Sequence, residues 1–166
     1  MSQLPAGGRE LAAQIVRVLG EREQTVAVAE SLTGGLLGAA ITDIPGASVV
    51  FRGGIIAYAT ELKAALLGVP AELLESYGPV YPDVAAAMAS GARDRLGATF
   101  GVATTGVAGP DPADGKPPGT VHIAVSAGMT PVTRKLALQG GRDTVRRGTV
   151  EQALGLLWSV LWEEGP

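Results

Sequence analysis

The chain has 166 residues, a formal net charge of −3, one histidine and no cysteine. This length fits one domain, which we expect over residues 1–166 with a short N-terminal tail at 1–7. The composition excludes disulfides, thiolate metal sites, cysteine nucleophiles and multi-histidine metal sites, and the slightly acidic balance argues against nucleic acid as a partner.

The first third of the chain predicts two helices on either side of a buried strand. Apolar residues recur at helical spacing over 7–22, and the run TVAVA at 25–29 is typical of a short buried strand. The strand leads into a polar segment, 30–35, and a second helix is predicted over 36–44, where a Pro-Gly pair ends it.

The middle of the chain predicts two further strands with helices between them. We expect a strand over 55–59, entered through a glycine pair, and another over 100–103. The helices between these strands are predicted over 60–67, over 71–76 and from Pro82 onward.

The last third predicts an irregular segment and a hairpin before a closing helix. The irregular segment covers 104–119, the hairpin strands cover 120–126 and 132–138, and the helix covers 142–162. The alternation predicts an α/β three-layer sandwich, a mostly parallel mixed sheet with helices on both faces and an antiparallel hairpin near the C-terminus. Because ligands bind beyond the carboxyl ends of strands in such sheets, we expect the site at 30–35 and 104–119.

The sequence predicts neither a membrane span nor a secretion signal. No stretch approaches the roughly 20 apolar residues that a helix needs to cross a bilayer, and the first residues lack a basic segment followed by an apolar run. We therefore expect a cytoplasmic protein with no membrane partner.

Ser31 is a candidate nucleophile because it lies between a buried strand and a helix start, where free N–H groups can bind a developing oxyanion. Capping of that helix by Ser31 or Thr33 is the alternative. A base is required, and His122, in an alternating strand, is more typical of a structural histidine. Lys63 is the other candidate base, with Tyr58 nearby, although the pattern alone is more typical of a surface lysine on a helix.

Two further segments carry groups that suit a ligand. Thr104 and Thr105 open a glycine-rich loop whose spacing and Lys116-Pro117 differ from those of a P-loop, which argues against an ATPase. Arg142 and Arg146 share one face at a helix start, where a phosphate would offset their unfavourable interaction with the helix dipole. A solvated charged turn is the alternative.

The ordered segments together resemble the C-terminal domain family of the competence/damage-inducible protein CinA, the nicotinamide-nucleotide amidohydrolases. The segments that carry the resemblance are AESLTGG at 29–35, TDIPGAS at 42–48, Tyr58 with Lys63, LGV at 67–69, TGVAGPD at 105–111, KPPGTV at 116–121, and Arg142 with Arg146. The resemblance covers residues 8–162. It implies hydrolysis of the carboxamide of nicotinamide mononucleotide to nicotinic acid mononucleotide and ammonia, in pyridine nucleotide recycling.

The resemblance also implies roles for individual residues. Ser31 is expected to be the nucleophile, with Lys63 and Tyr58 activating it and Tyr58 donating a proton to the departing ammonia. No metal or cofactor is expected, and a homodimer or higher homo-oligomer is. The expected substrate-binding residues are Glu30, Thr33, Gly34, Gly35, Thr105, Gly106, Gly109, Lys116, Arg142 and Arg146, with the N–H groups near Gly34 and Gly35 as the oxyanion site.

One departure from the family pattern bears on the substrate. Where the family has Gly-Ala-Val-Ser, this chain has Gly78-Pro79-Val80-Tyr81, so that a bulky phenol replaces a small hydroxyl. Lys116-Pro117-Pro118 in place of Lys-Pro-Val is a milder change. The alternatives are a non-catalytic nucleotide-binding or regulatory module that keeps the pocket, and a hydrolase of another small amide.

Overall fold

A five-stranded mixed sheet lies between two layers of helices in the computed structural model, which describes residues 7–163. The helices are α1 Gly8–Glu21, α2 Leu36–Thr42, α3 Thr60–Leu67, α4 Ala71–Tyr77, α5 Pro82–Leu96 and α6 Arg142–Glu163. The strands are β1 Val26–Glu30, β2 Phe51–Ile56, β3 Phe100–Gly106, β4 Thr120–Ser126 and β5 Val132–Ala137. The predicted α/β three-layer architecture is confirmed, while residues 1–6 of the expected tail lie outside the described residues.

The strand order is β2-β1-β3-β4-β5, and this order determines where the site forms. Strand β1 pairs in parallel with β2 on one side and with β3 on the other. Strands β3, β4 and β5 pair antiparallel, so the predicted hairpin of β4 and β5 is present. From β1 the chain continues to β2 on one side of the sheet and then crosses to β3 on the other side of β1. The crevice at such a switch point is the usual binding site of an open α/β sheet.

The two faces of the sheet carry side chains of different size, which sets how closely the helices approach. Larger residues such as Val28 and Phe100 face the layer of α1, α2 and α6. Alanines such as Ala27 and Ala103 face the layer of α3 and α5. On that face a Cβ at Gly101 would collide with the Ala89 carbonyl of α5, so the small residues allow helix and sheet backbones to touch.

Two predicted strand boundaries are wrong. Strand β2 covers 51–56 rather than 55–59, because Gly53 and Gly54 belong to the strand instead of preceding it. A Cβ at Gly54 would lie 2.6 Å from the Val28 side chain of β1, so glycine serves close strand packing here. Strand β3 extends through Gly106, since its last residues still pair with β4. The irregular segment is accordingly shorter than predicted.

None of the helices described between residues 7 and 163 combines the length and the apolar character that a bilayer span requires.

Candidate active site

The carboxyl ends of β1, β2 and β3 meet at one edge of the sheet, because these three strands are mutually parallel. Ser31 directly follows β1, and Lys63 lies in the first turn of α3, shortly after β2. The segment 107–119 leaves β3 at the same edge. Since β5 also ends there, the N-terminus of α6 arrives beside these groups.

Ser31 and Lys63 are in direct contact. The Lys63 Nζ lies 3.0 Å from the Ser31 Oγ and also donates to the carbonyl oxygens of Ala57, at 2.7 Å, and Tyr58, at 3.3 Å. Both side chains are buried, with 1% of Lys63 and 7% of Ser31 exposed. Lys63 is therefore not a surface lysine, and its contact with Ser31 is the geometry that a serine–lysine pair requires.

Burial changes the acid–base chemistry of Lys63. Loss of hydration disfavours the charged ammonium and lowers the pKa of Lys63 from 10.5 to about 8, against a smaller opposing effect of the Glu61 carboxylate. No carboxylate lies within 4.0 Å of the amine among the described residues. About a tenth of the amine is therefore neutral at pH 7, and this form is able to accept a proton.

A cavity of about 430 Å³ opens above this pair. Its walls come from five parts of the chain, which are the segment after β1, the β2–α3 connection with the first turn of α3, the α4–α5 connection, the end of β3 with the long segment after it, and the start of α6. The lining residues are Ser31, Leu32, Tyr58, Thr60, Lys63, Pro79, Val80, Thr105, Gly106, Val107, Ala108, Gly109, Pro110, Asp111, Pro112, Ala113, Asp114 and Arg142. The predicted Ser31, Lys63, Tyr58, Thr105, Gly106, Gly109 and Arg142 are therefore brought to one cavity.

Arg142 connects two walls of the cavity. Its guanidinium donates to the Gly109 carbonyl at 2.7 Å and to the Tyr58 hydroxyl at 3.2 Å. The Tyr58 phenol is 59% exposed and lies at the cavity with Arg142, while its backbone carbonyl accepts from Lys63. The proton-donor role of Tyr58 stays a prediction, since the hydrogen bond that its hydroxyl makes is with Arg142.

Glu30, which we expected to bind substrate, has a structural role. Its buried carboxylate accepts hydrogen bonds from the backbone N–H groups of Gly35 at 3.2 Å, Leu37 at 2.8 Å and Gly38 at 3.0 Å. Glu30 thus caps α2, and neither Ser31 nor Thr33 does. The Gly34 N–H donates to the Ser31 carbonyl. The amides of Gly34 and Gly35 therefore already have protein acceptors, and an oxyanion site near these residues would need another N–H group.

Thr33 and Arg146 hold the segment after β1 from behind. The Thr33 hydroxyl lies 2.8 Å from that of Thr104, and both side chains are buried. Arg146 donates to the carbonyl oxygens of Leu32 at 2.9 Å and Thr33 at 3.1 Å. Neither Thr33 nor Arg146 lines the cavity, so these contacts position the Ser31 segment in place of the substrate contacts we expected.

Asp111 and Asp114 are cavity residues that the sequence analysis did not select. Asp114 and Gly115 both have positive φ and join Ala113 to Lys116 in a tight two-residue turn. The Asp-Gly pair is the feature of the sequence that could have identified this turn. Lys116 lies outside the cavity lining and contacts the Asp114 carboxylate at 3.5 Å, so the expected substrate contact of Lys116 is replaced by an ion pair.

Two other residues raised by the sequence lie apart from the cavity. His122 is buried in β4, and its Nδ1 has no hydrogen-bond partner among the described residues. Burial and the neighbouring Lys135 and Lys116 lower the pKa of His122. Tyr81 stacks on Tyr77 with ring centroids 4.2 Å apart, and neither ring lines the cavity. Pro79 and Val80, not Tyr81, are therefore the residues of this segment that line the cavity.

Comparison with known proteins identifies relatives over nearly the whole chain. The family model of the CinA C-terminal domain matches residues 8–161. A CinA-like protein of Frankia casuarinae is 52% identical over 147 residues, which are 89% of this chain and 34% of the relative. A CinA-like protein of a Synechococcus strain is 51% identical over 150 residues, or 36% of its length. The chain thus spans about a third of these curated relatives.

Solved structures share the fold. The crystal structure of the competence/damage inducible protein CihA from Agrobacterium tumefaciens superposes with a TM-score of 0.89 at 37% identity, over 96% of this chain and 99% of that one. The competence damage-inducible protein A from Klebsiella pneumoniae gives a TM-score of 0.91 at 32% identity, over 94% and 98% of the two chains.

Proposed function

The chain belongs to the family of the CinA C-terminal domain, and from its site we propose that it is an amidohydrolase that deamidates nicotinamide mononucleotide by serine–lysine chemistry. The products are nicotinic acid mononucleotide and ammonia. The observation that carries the proposal is the buried contact between Ser31 and Lys63 at the floor of a cavity of about 430 Å³. That volume falls within the range of small-molecule sites.

The first half of the reaction forms an acyl-enzyme. The neutral Lys63 amine accepts the Ser31 hydroxyl proton while Oγ bonds to the carboxamide carbon, and the carbonyl π electrons move to oxygen. In the collapse that follows, the C–N bond breaks and the Lys63 ammonium returns its proton to the departing nitrogen, which leaves as ammonia. Lys63 is then neutral again, and the nicotinoyl group is an ester of Ser31.

The second half of the reaction repeats these proton transfers with water. Lys63 accepts a proton from water as the water oxygen bonds to the ester carbon. When the tetrahedral intermediate collapses, the C–Oγ bond breaks and the proton on Lys63 passes to Oγ. Ser31 is regenerated, and the nucleotide leaves with a carboxylic acid that ionises in solvent.

The Leu32 N–H is our candidate for stabilising the oxyanion. Leu32 follows the nucleophile directly and lines the cavity. Within residues 7–163 its N–H has no hydrogen-bond acceptor, in contrast to those of Gly34 and Gly35. A preorganised N–H donor next to the nucleophile is the usual way to stabilise the charge of a tetrahedral intermediate.

Replacement of Ser31 by alanine tests the proposal. We expect Ser31→Ala to abolish release of ammonia from nicotinamide mononucleotide and to leave the melting temperature near that of the wild type, since only one hydroxyl is lost. Ser159→Ala removes a hydroxyl from α6, where it bonds to the Gly155 carbonyl, and serves as the control with unchanged turnover. Undiminished turnover by Ser31→Ala would exclude the nucleophile role.

The same assay separates the proposal from its alternatives. Thermal stabilisation by the mononucleotide without release of ammonia identifies a non-catalytic binding module. Release of ammonia from other carboxamides, but not from the mononucleotide, identifies a different amidase.

Arg142 is the residue we propose for the substrate phosphate, because it lines the cavity and has no carboxylate partner in the part of the chain that the structure describes. We expect Arg142→Ala to raise KM about tenfold for the mononucleotide and much less for the riboside, which lacks phosphate. Arg147→Ala is the matched control, since Arg147 lies one turn along α6, outside the cavity lining, and pairs with Asp143. An equal rise for both substrates would remove the phosphate assignment.

A further inference from the structure

The cavity carries charges of opposite sign on different walls. Arg142 lies on the wall that Tyr58 and Gly109 form, and its guanidinium contacts both residues. Asp114 lies where the long segment after β3 meets the α4–α5 connection, with its carboxylate against Gly78. No ion pair joins Arg142 to Asp114 within residues 7–163, so the two charges do not neutralise each other.

The fold brings the Asp114 carboxylate close to the α4–α5 connection. The tight turn fixes the backbone of Asp114 at φ 52°, and a Cβ at position 78 would collide with the carboxylate. Glycine at position 78 is therefore needed for the carboxylate to occupy this place. The side chain of Asp114 keeps 33% of its accessible surface, and its one ion-pair partner in the described chain is Lys116, at 3.5 Å. At this long distance the carboxylate oxygens retain capacity for a second positive group.

We infer that Asp114 determines specificity by facing a positively charged, N-substituted pyridinium ring, so that the site selects substrates with a cationic ring and an anionic phosphate. This inference rests on the proposed function and adds to it a residue and a selection rule. With the carboxamide at Ser31 and the phosphate at Arg142, we place the ring against the part of the cavity wall that Pro79, Val80 and Asp114 form. The Asp114 carboxylate does not increase the affinity of the site for a neutral ring of the same shape.

A matched pair of ligands isolates the ring charge. Nicotinamide mononucleotide has a cationic ring, and its reduced form has a neutral dihydropyridine ring with the same carboxamide, ribose and phosphate. Asp114→Asn removes only the carboxylate charge, because asparagine also accepts the positive φ that this turn requires. Asp94→Asn, an exposed carboxylate on α5 outside the cavity lining, is the control.

The experiment measures KM and kcat for the oxidised form and the inhibition constant of the reduced form, with dissociation constants of both by calorimetry. We expect Asp114→Asn to weaken binding of the oxidised form about fivefold and to leave binding of the reduced form and kcat nearly unchanged, as for a partly solvated charge pair. Asp94→Asn is expected to behave as the wild type.

Several outcomes would overturn the inference. Equal weakening of both forms by Asp114→Asn would mean a structural role, and no weakening of either would mean no contact. Loss of ring discrimination in Asp111→Asn alone would assign the role to the other carboxylate of the cavity. If the wild type binds both forms and releases no ammonia, the proposed reaction fails while the ring selectivity is still decided by the binding data. Absence of binding of either form would overturn both proposals.

Discussion

At the scale of single residues, the environment of Lys63 decides its chemistry. The amine is buried, contacts two backbone carbonyls and the Ser31 hydroxyl, and has a pKa of about 8. A lysine in the first turn of an amphipathic helix is compatible from sequence with a solvated surface position. Burial and the partner are consequences of the pairing of β2 with β1, which brings two residues 32 positions apart into contact.

We expect the pH dependence of the reaction to follow the neutral form of Lys63. Below pH 8 the neutral fraction rises about tenfold per pH unit, so kcat/KM for the mononucleotide should rise between pH 6 and 8 and level off above an apparent pKa of about 8. Initial rates over pH 6–9.5 measure this profile.

The control is Lys63→Arg, which keeps a positive charge that does not dissociate in this range. We expect this variant to be at least 100-fold slower at every pH. A wild-type profile that stays flat through pH 8 would contradict a base role for Lys63.

At the scale of elements, sequence patterns predicted helices more accurately than strand ends and loops. Five helices were predicted close to their observed bounds and α5 at its observed start, since helical periodicity and Pro or Gly at the ends identify them. The glycine pair 53–54 and the threonine pair 104–105 were predicted to lie outside strands. Both pairs belong to strands, because their residues pair with a neighbouring strand. Such information is tertiary, and no local pattern contains it.

The site shows the same division between local and tertiary information. Residues that belong to a recognisable motif after a strand, such as Ser31 and Thr105, were correctly placed at the cavity. Residues whose roles are set by contacts with backbone groups were predicted less well. Glu30 was expected to bind substrate, but its carboxylate accepts hydrogen bonds from three N–H groups at the start of α2, and Arg146 donates to two carbonyl oxygens that follow Ser31 in the chain. Neither interaction can be inferred from the spacing of residues along the sequence.

Glu30 should therefore matter for stability more than for substrate affinity. We expect Glu30→Gln to lower the free energy of unfolding by about 2 kcal/mol, because one carboxylate oxygen that accepts N–H bonds becomes an amide donor in a buried site. Urea titration measures the loss. Glu72→Gln, in the first turn of α4 and exposed, is the control and should cost well under 1 kcal/mol. A raised KM with unchanged stability would instead support the original assignment.

At the scale of the whole molecule, the small-residue face of the sheet governs how tightly the layers pack. The stripe of Ala85, Met88, Ala89 and Ala92 on α5 lies buried against the sheet. Trp158 is likewise part of the core, while Trp162 is 41% exposed. The homo-oligomeric state stays a prediction.

Two helical glycines allow this packing to be measured. A Cβ at Gly91 of α5 would collide with the Leu67 carbonyl of α3, whereas a Cβ at Gly155 of α6 would have no heavy atom within 4 Å. We expect Gly91→Ala to destabilise the protein by about 3 kcal/mol or more despite the better helix propensity of alanine. Gly155→Ala should stabilise it by up to about 1 kcal/mol. Thermal unfolding of both variants checks the pair, and similar shifts for the two would contradict the close helix contact.

Ser31 and Lys63, the proposed nucleophile and base, are carried by two successive units of the parallel part of the sheet, Ser31 by the β1–α2 unit and Lys63 by the β2–α3 unit. A fragment that ends in the connection between these units holds the hydroxyl without the amine, and the complementary fragment holds the amine without the hydroxyl. Neither half is a hydrolase alone under our proposal. Release of ammonia would therefore measure complementation of the two fragments, because we expect turnover only when they reassociate through the pairing of β1 with β2.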